Sequence, residues 1–500
     1  MMKIYKFLVL LFIVTSCDLE REPYGIAGSF KTEADIQLAL NAVYDPYYEE
    51  EGFGEGWLFF SAASDDMIVR SSGEDETKAV MNFATPTNNS WTNADNWKFM
   101  YRSIRRANDV IKYTPGIDMS ESSRNKIMGE ANFLAGFDYF FLAKRYGGLP
   151  FFDNTNAEEI NPVRQTKLET YKRIEAYLLK SIEYFENEDL WKRSDADLGK
   201  PNLGAAYGLL AKVYAHWGKF AESKAMAEKV INSGQYSLDV NNGNGFKDLF
   251  SMEGEKNGEV LFNLASKPAN HQGTITSVIL LSGDFSGGTG WWYCSPTKSL
   301  SDAFEAGDLR RNVTLRGVGE QIMRLGEQIT ITEADIADMG TGFMSTKYYS
   351  PYETASSFSW ETGKDVPLLR YSDILLLHAE AIMQLAGAGP TNASTPVAAA
   401  ATSFNKVRTR AGLAPIVAPT FANLVNERRC ELAYEDDRHF DLVRWGMAQS
   451  VYAAATSAND PRGPRTFTPG KDEHFPIPQV EIDNSNGVLI NNPSPGYSTF

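Results

Sequence analysis

Cysteine and histidine are scarce in this chain, with three of the first and five of the second among 500 residues. That scarcity removes several chemistries together. No HExxH pair, CxxC pair or Cys/His spacing occurs, so neither a catalytic zinc site nor a structural zinc framework has its ligands. His378-Ala379-Glu380 sits in an apolar helical pattern without the PCxxC partner that a zinc deaminase needs. GxSxG and Walker-type glycine loops are also missing, which leaves acyl and phosphoryl transfer without a starting point. The stretch from Asp239 begins like a calcium loop. Its sixth position is Asn244 and its twelfth Phe250, where glycine and glutamate belong, so it reads as an Asn/Gly turn. Positive charge is short as well: 48 Lys and Arg face 64 Asp and Glu, for a net charge of −16. Such a surface repels nucleic-acid phosphates. Beyond the N-terminus no run approaches the ~20 apolar residues needed to span a bilayer.

What is present begins with Lys3 and Lys6, followed by an apolar run from Phe7 to Val14 and then Thr15-Ser16-Cys17. Two cations, a short apolar core and a small-residue cut are the pattern of a signal peptide over residues 1–16. The thiol at the cut makes Cys17 a lipid-attachment residue, and VTSC resembles the lipobox of bacterial lipoproteins. An ordinary signal cut is the alternative. Buried acyl carbons contribute ~0.8 kcal/mol each, so lipid at Cys17 would tether the protein without a spanning helix. The other two thiols, Cys294 and Cys430, are isolated and read as packing residues, with a disulfide between them left open.

The body is predicted to be mainly α. Thr32 to Asp35 resembles a capping box, followed by Ile36, Leu40 and Val43 on one helical face. Trp97, Tyr101, Ile104, Asn108 and Ile111 repeat a 4-3-4-3 stripe, and Thr166 with Glu169 caps a helix carrying Tyr171, Ile174, Leu178 and Phe185. From Ala205 to Ile231 two helical patterns break at Gly218, with Ala211, Tyr214, Gly218 and Phe220 spaced as in tetratricopeptide helix pairs. Between residues 237 and 364 the composition shifts to Gly, Asn, Ser and aromatics, with short apolar runs at 259–262 and 278–281 that read as strands. The expected organisation is one domain over residues 17–500. A tetratricopeptide-like helical-pair scaffold covers 17–236 and 365–450, a long irregular, short-strand insertion covers 237–364, and an irregular tail covers 451–500.

An enzyme would most naturally use the segment ERRCELAYEDDRHFDLVRW, where Glu427, Glu431 and Glu435 recur at i, i+4. Arg428, Arg429 and Arg438 lie close enough in sequence to neutralise them. Glycoside hydrolysis needs one carboxyl with a raised pKa, whereas neighbouring arginines lower it, so a structural ion network is the better reading. No catalytic residue, cofactor or metal is expected.

Binding has better candidates. In DFSGGTGWWYCSP, Trp291, Trp292 and Tyr293 are consecutive, and no helical or strand period can bury all three on one face. Flat rings flanked by amides and carboxylates suit a sugar, whose C–H face stacks while its hydroxyls are hydrogen-bonded. The alternative is that the rings plug a gap between insertion and helices. A second candidate is ATPTNNSWTNADNW, where Asn88, Asn89 and Asn93 accompany Trp91. Trp57, on a Gly-rich approach to an expected strand, is a weaker third.

Seven segments together resemble the SusD/RagB family of lipid-anchored nutrient-binding proteins. They are WKFMYRSIRRANDVI, GEANFLAGFDYFFLAKRYGGLPFF, the pair around Gly218, RYSDILLLHAEAI, FNKVRTRAGL, ERRCELAYEDDRHFDLVRWG and FPIPQVEIDNSNG. The tail departs from the family pattern, reading NNPSPGY with two residues inserted. The resemblance implies a lipoprotein of the bacterial outer membrane, facing the cell exterior. It also implies a glycan or oligosaccharide ligand, with peptide as the alternative, and a SusC-like TonB-dependent transporter as partner. Asp18, Glu20 and Glu22 resemble the acidic residues that follow the lipidated cysteine of surface-exposed members. A glycan-degrading enzyme on the same anchor is the reading from a different class.

Overall fold

The expected helix starts act where the sequence places them. The Thr32 hydroxyl accepts from the Asp35 amide at 3.2 Å while the Asp35 carboxylate accepts from the Thr32 amide at 2.9 Å. This box opens α1 (Glu33–Val43), which buries Ile36, Leu40 and Val43. The computed structural model describes residues 30–69, 81–83, 91–152, 163–194, 197–239, 245–250, 256–266, 274–286, 290–349 and 363–491. The leader, Cys17 and the acids behind it, Asn88, Asn89, residues 240–244 of the Asn/Gly turn and the tail beyond Asn491 lie outside the described residues.

After α1 the chain forms α2 (Glu55–Ser61) and β1 (Met67–Val69), then α3 (Trp91–Tyr113), α4 (Glu121–Tyr146) and α5 (Lys167–Asn187). Thr166 caps α5 by accepting from the Glu169 amide at 3.1 Å. α6 (Leu203–Trp217) and α7 (Phe220–Asn232) are separated at Gly218, whose φ of 79° is the left-handed geometry that ends a helix without a Cβ clash. The expected strand at 278–281 is instead α8 (Thr276–Leu280), in which every side chain is buried. A short apolar run buried on all sides carries no period, so strand and helix were indistinguishable there. α9 (Tyr371–Leu385), α10 (Ala401–Arg410), α11 (Phe421–Leu432) and α12 (Arg438–Arg444) follow. The tail is irregular apart from short helices such as Gln479–Asn484.

The helices pack largely in chain order, α3 on α4, α4 on α5, α5 on α6 and α6 on α7. α9 then lies against α7 and carries α10 and α11 on its other sides. This is a mainly helical, paired scaffold of the kind expected. α4 is its centre, buried along most of its 26 residues. Its buried charges have partners: Tyr47 donates to Asp138 at 2.6 Å, Arg193 pairs with Glu130 at 3.0 Å, and Arg145 pairs with Asp436 at 2.6 Å.

Among the described residues the strands form only two-stranded antiparallel ladders. β2 (Val260–Leu264) pairs with β8 (Val366–Arg370) and closes the insertion at its base. β3 (Cys294–Pro296) pairs with β1, β4 (Leu315–Gly317) with β7 (Phe343–Ser345), and β5 (Gln321–Arg324) with β6 (Glu327–Thr330). Contacts between β3 and β7 tie these pieces together.

Beneath α11 runs a buried seam of charge. Arg310 meets Glu427 at 2.6 Å and Glu431 at 3.0 Å, and Arg370 meets Glu431 at 2.8 Å and Glu435 at 2.7 Å. Arg410 pairs with Glu259 at 2.9 Å and also with Glu431. The ion network is therefore present, but its cations differ from those expected. Arg428 pairs with Asp373 and Asp441, Arg429 with Asp66, and Arg438 with Asp65. Successive helical residues are rotated by about 100°, so Arg428 and Arg429 face away from their glutamate neighbours and find partners on other elements. The pKa directions also divide. Burial outweighs Arg310 at Glu427 and raises its carboxyl. At Glu431 the cost of burial is overcome by Arg410, Arg370 and Arg310, which hold it well below the usual range.

Candidate functional site

The three consecutive rings are placed by the end of a helix. The last carbonyls of a short helix lack internal partners. The carbonyls of Val278 and Ile279 in α8, and of Leu281 just beyond it, accept from the amides of Trp291, Tyr293 and Trp292 at 2.9, 2.8 and 2.9 Å. The backbone of the aromatic run thus caps α8, and β3 fixes its far end. Trp292 has φ of 42°, an uncommon conformation for a bulky residue, which turns it away from its neighbours. Trp291 and Tyr293 pack against the main core. Trp292 packs against a separate small core of Leu281, Phe285, Ile331, Ile336, Met339 and Met344. Its ring lies over Gly283, where a Cβ would come within 2.5 Å of the indole. All three side chains are half-buried. Each ring therefore packs against a core while remaining only partly covered.

The β1–β3 ladder pairs Val69 with Cys294, so the chain entering the segment before α3 starts beside Tyr293. Trp91 is the first residue of α3, and Asn88 and Asn89 lie outside the described residues. Asn93 is committed to structure. It donates to the Pro476 carbonyl at 3.1 Å and accepts from the Tyr146 hydroxyl at 2.6 Å. Trp57 is removed from the candidates by burial. It stands in α2, not before a strand, is 3% exposed, and packs edge-on against Tyr348 and Phe53 at 6.0 and 6.4 Å. The run GEGWLFF is enclosed on both faces, so neither alternation nor a polar face marked it as helical. Trp97 is in the core, as its stripe predicts. Cys294 and Cys430 are both buried and no disulfide joins them, in keeping with packing residues.

A cleft of about 1110 Å³ opens elsewhere in the insertion, unannounced by any motif. Its walls come from Lys247 and Phe250, the stretch from Ser301 to Arg316, the β5–β6 hairpin, Thr346 to Tyr349, and Lys364. No local motif joins segments so far apart. The cleft borders the small core on which Trp292 packs, because Ile322 and Tyr349 line the cleft and pack against that core. Among the described residues no group of three or more His, Cys, Asp and Glu is arranged to hold a metal ion.

Comparison with known proteins agrees with this architecture. Residues 319–497 match a family model described as SusD family, and residues 19–215 match one described as starch-binding associating with outer membrane. SusD-like protein P2 of Formosa agariphila is 27% identical over 531 aligned positions, which cover 99% of this chain and all of the relative. A SusD superfamily protein from Bacteroides vulgatus shares the fold, with a TM-score of 0.77 at 21% identity over 92% of this chain and 99% of its own. Surface glycan-binding protein A from Bacteroides thetaiotaomicron superposes over 92% of this chain and 99% of its own, with a TM-score of 0.75 at 25% identity. Two family models at opposite ends of the chain, a relative along its full length and a common helical frame give one conclusion: the chain belongs to the SusD/RagB family.

Proposed function

We propose that the protein is a surface-anchored glycan-binding lipoprotein of the bacterial outer membrane, which captures oligosaccharide and hands it to a SusC-like TonB-dependent transporter. The observation that carries this reading is the run Trp291, Trp292 and Tyr293, held by its backbone on the end of α8 with its rings half-exposed. Pre-positioned aromatic faces lose little freedom on binding and match the C–H face of a sugar. The starch-binding description of the matched family model and the glycan-binding name of the Bacteroides thetaiotaomicron relative support a carbohydrate ligand. The acids of the ion seam support capture without turnover. Glu427, Glu431 and Glu435 are engaged by Arg310, Arg370, Arg410 and Lys347 rather than facing a substrate. Lipid on Cys17 supplies the membrane attachment in this reading. No helix of the described residues is long and apolar enough to cross a membrane.

The test is calorimetric titration with a panel of neutral oligosaccharides, paired with a reducing-end assay. Binding without new reducing ends is expected. Turnover would overturn the reading, and affinity for peptides alone would move it to peptide capture. The Cys17→Ala variant should fold and leave the membrane fraction, whereas retention that still needs detergent would remove the lipid anchor. Mild detergent extraction should bring down a large β-barrel with the protein. Isolation of the protein alone would argue against the transporter.

A further inference from the structure

The large cleft of the insertion is electrically unlike the rest of this acidic chain. Its wall carries Lys247, Arg311, Arg316, Lys347 and Lys364 against Asp248, Glu305 and Asp308. Most of these charges are already matched. Glu305 holds Arg408 at 2.6 Å, Asp308 holds Arg310 at 2.7 Å, Arg311 meets Glu320 at 2.5 Å, and Lys347 meets Glu435 at 2.5 Å. Asp248 has a partner of its own. Among the described residues Lys247, Arg316 and Lys364 make no ion pair, although Glu320, which is paired with Arg311, lies near enough to Arg316 to be felt.

Lys364 is the most telling of the three. It is 6% exposed, and its ammonium donates to the Tyr349 carbonyl. Burial, and then the charge of Lys247, push its pKa down to about 7. Each lysine raises the electrostatic cost of the other, and a bound anion would offset that cost. The remaining lining suits a carbohydrate. Asn312, Gln321 and Gln328 offer exposed amides, and Leu309 and Met323, both 43% exposed, offer apolar faces. A volume of about 1110 Å³ exceeds the ~300–1,000 Å³ of ordinary small-molecule pockets and leaves room for several sugar rings.

We propose that this cleft is a second carbohydrate subsite, which receives an anionic substituent of a glycan, a carboxylate or a sulfate ester, on Lys364, Lys247 and Arg316. The preferred ligand is therefore an acidic polysaccharide, with its charged group in the cleft. This inference rests on the glycan-binding reading above.

The experiment titrates the mature chain with hexagalacturonate, its methyl ester, a sulfated carrageenan oligosaccharide and a neutral β-glucan oligosaccharide. An acidic probe should bind more tightly than the neutral ones, and the tighter of the two acids identifies carboxylate or sulfate as the group received. Lys247→Glu, a change at an exposed residue, should weaken acidic binding by at least about tenfold and leave the neutral glycan unaffected. Lys364→Met should do the same, with thermal denaturation reporting whether it folds. Affinity for both acidic probes no higher than for the ester and the neutral glycan, or a Lys247→Glu variant that binds the tighter acid as well as the parent does, would overturn the proposal. If neutral glycans bind while acids show no preference, the subsite alone fails. If no glycan of either kind binds, the glycan-binding reading fails with it.

Discussion

The seam beneath α11 and the cleft of the insertion are both built around cations, and they treat them in opposite ways. In the seam Arg310, Arg370 and Arg410 converge on Glu259, Glu427 and Glu431, and each guanidinium is enclosed by carboxylates. In the cleft, among the described residues, Lys247, Arg316 and Lys364 form no ion pair with a carboxylate. Burying a charge without a partner costs several kcal/mol, so a fold that matches its seam this fully could have matched its cleft. The same distinction separates the tryptophans. Trp57 gives its whole ring to the core, whereas Trp291 and Trp292 keep part of theirs at the surface.

The strongest way to break the comparison is to remove a seam acid. Glu431→Ala leaves Arg310, Arg370 and Arg410 short of their shared partner, and should cost ~4–5 kcal/mol in urea unfolding, the upper part of the range for breaking a buried pair. A loss below ~1 kcal/mol would mean that the seam is not what holds α11. Next in size is Trp57→Ala, expected to lower stability by ~3–4 kcal/mol as a large buried ring is deleted.

Smaller effects sharpen the contrast. Trp291→Ala and Trp292→Ala should each reduce glycan affinity by ~1–3 kcal/mol, measured by calorimetry. Their cost to stability should stay below about 2 kcal/mol, because only part of each ring is buried. A stability loss as large as that of Trp57→Ala, with affinity unchanged in the folded fraction, would make both rings plugs.

The smallest effect is a slope with pH. Burial, and then the charge of Arg465, push the His439 imidazole down to about 3 from 6.5, and the ring shares a 2.9 Å hydrogen bond with the Tyr452 hydroxyl. Above pH ~6.5 the ring is neutral whether the chain is folded or not. Between there and its folded pKa only the unfolded chain takes the proton, so stability falls as pH falls, by up to ~1.4 kcal/mol per pH unit. His439→Gln should flatten the dependence of unfolding free energy on pH by that amount. An unchanged slope would show that the imidazole titrates alike in the folded and unfolded protein.

The helical frame was legible because its signals are local. Thr32 and Thr166 cap the helices they were expected to cap, and Ile36, Leu40, Val43, Tyr171, Ile174, Leu178 and Phe185 are buried along the stripes they form. Where burial surrounds an element, as at α2 and α8, the stripe vanishes and helix was read as strand or as its approach. The candidate site was legible in part. Three consecutive rings between turns announced that some ring face stays outside. The capping of α8 by their amides, and the left-handed backbone at Trp292, depend on tertiary placement that no spacing records. The true partners of Glu427 and Glu431, and the whole cleft, come from residues far apart in the chain, so they became visible only once the chain was folded.

One consequence follows from the β2–β8 ladder. Leu264 is paired with Val366, so everything between them leaves the frame and returns to it at a single gate. To the helices the insertion is one closed loop, and doubling such a loop adds only ~0.6 kcal/mol of closure entropy. Segments beyond the gate that touch no helix can therefore be lengthened or rewritten at little cost to the frame, whereas Arg310 and β3, which hold α11 and β1, cannot.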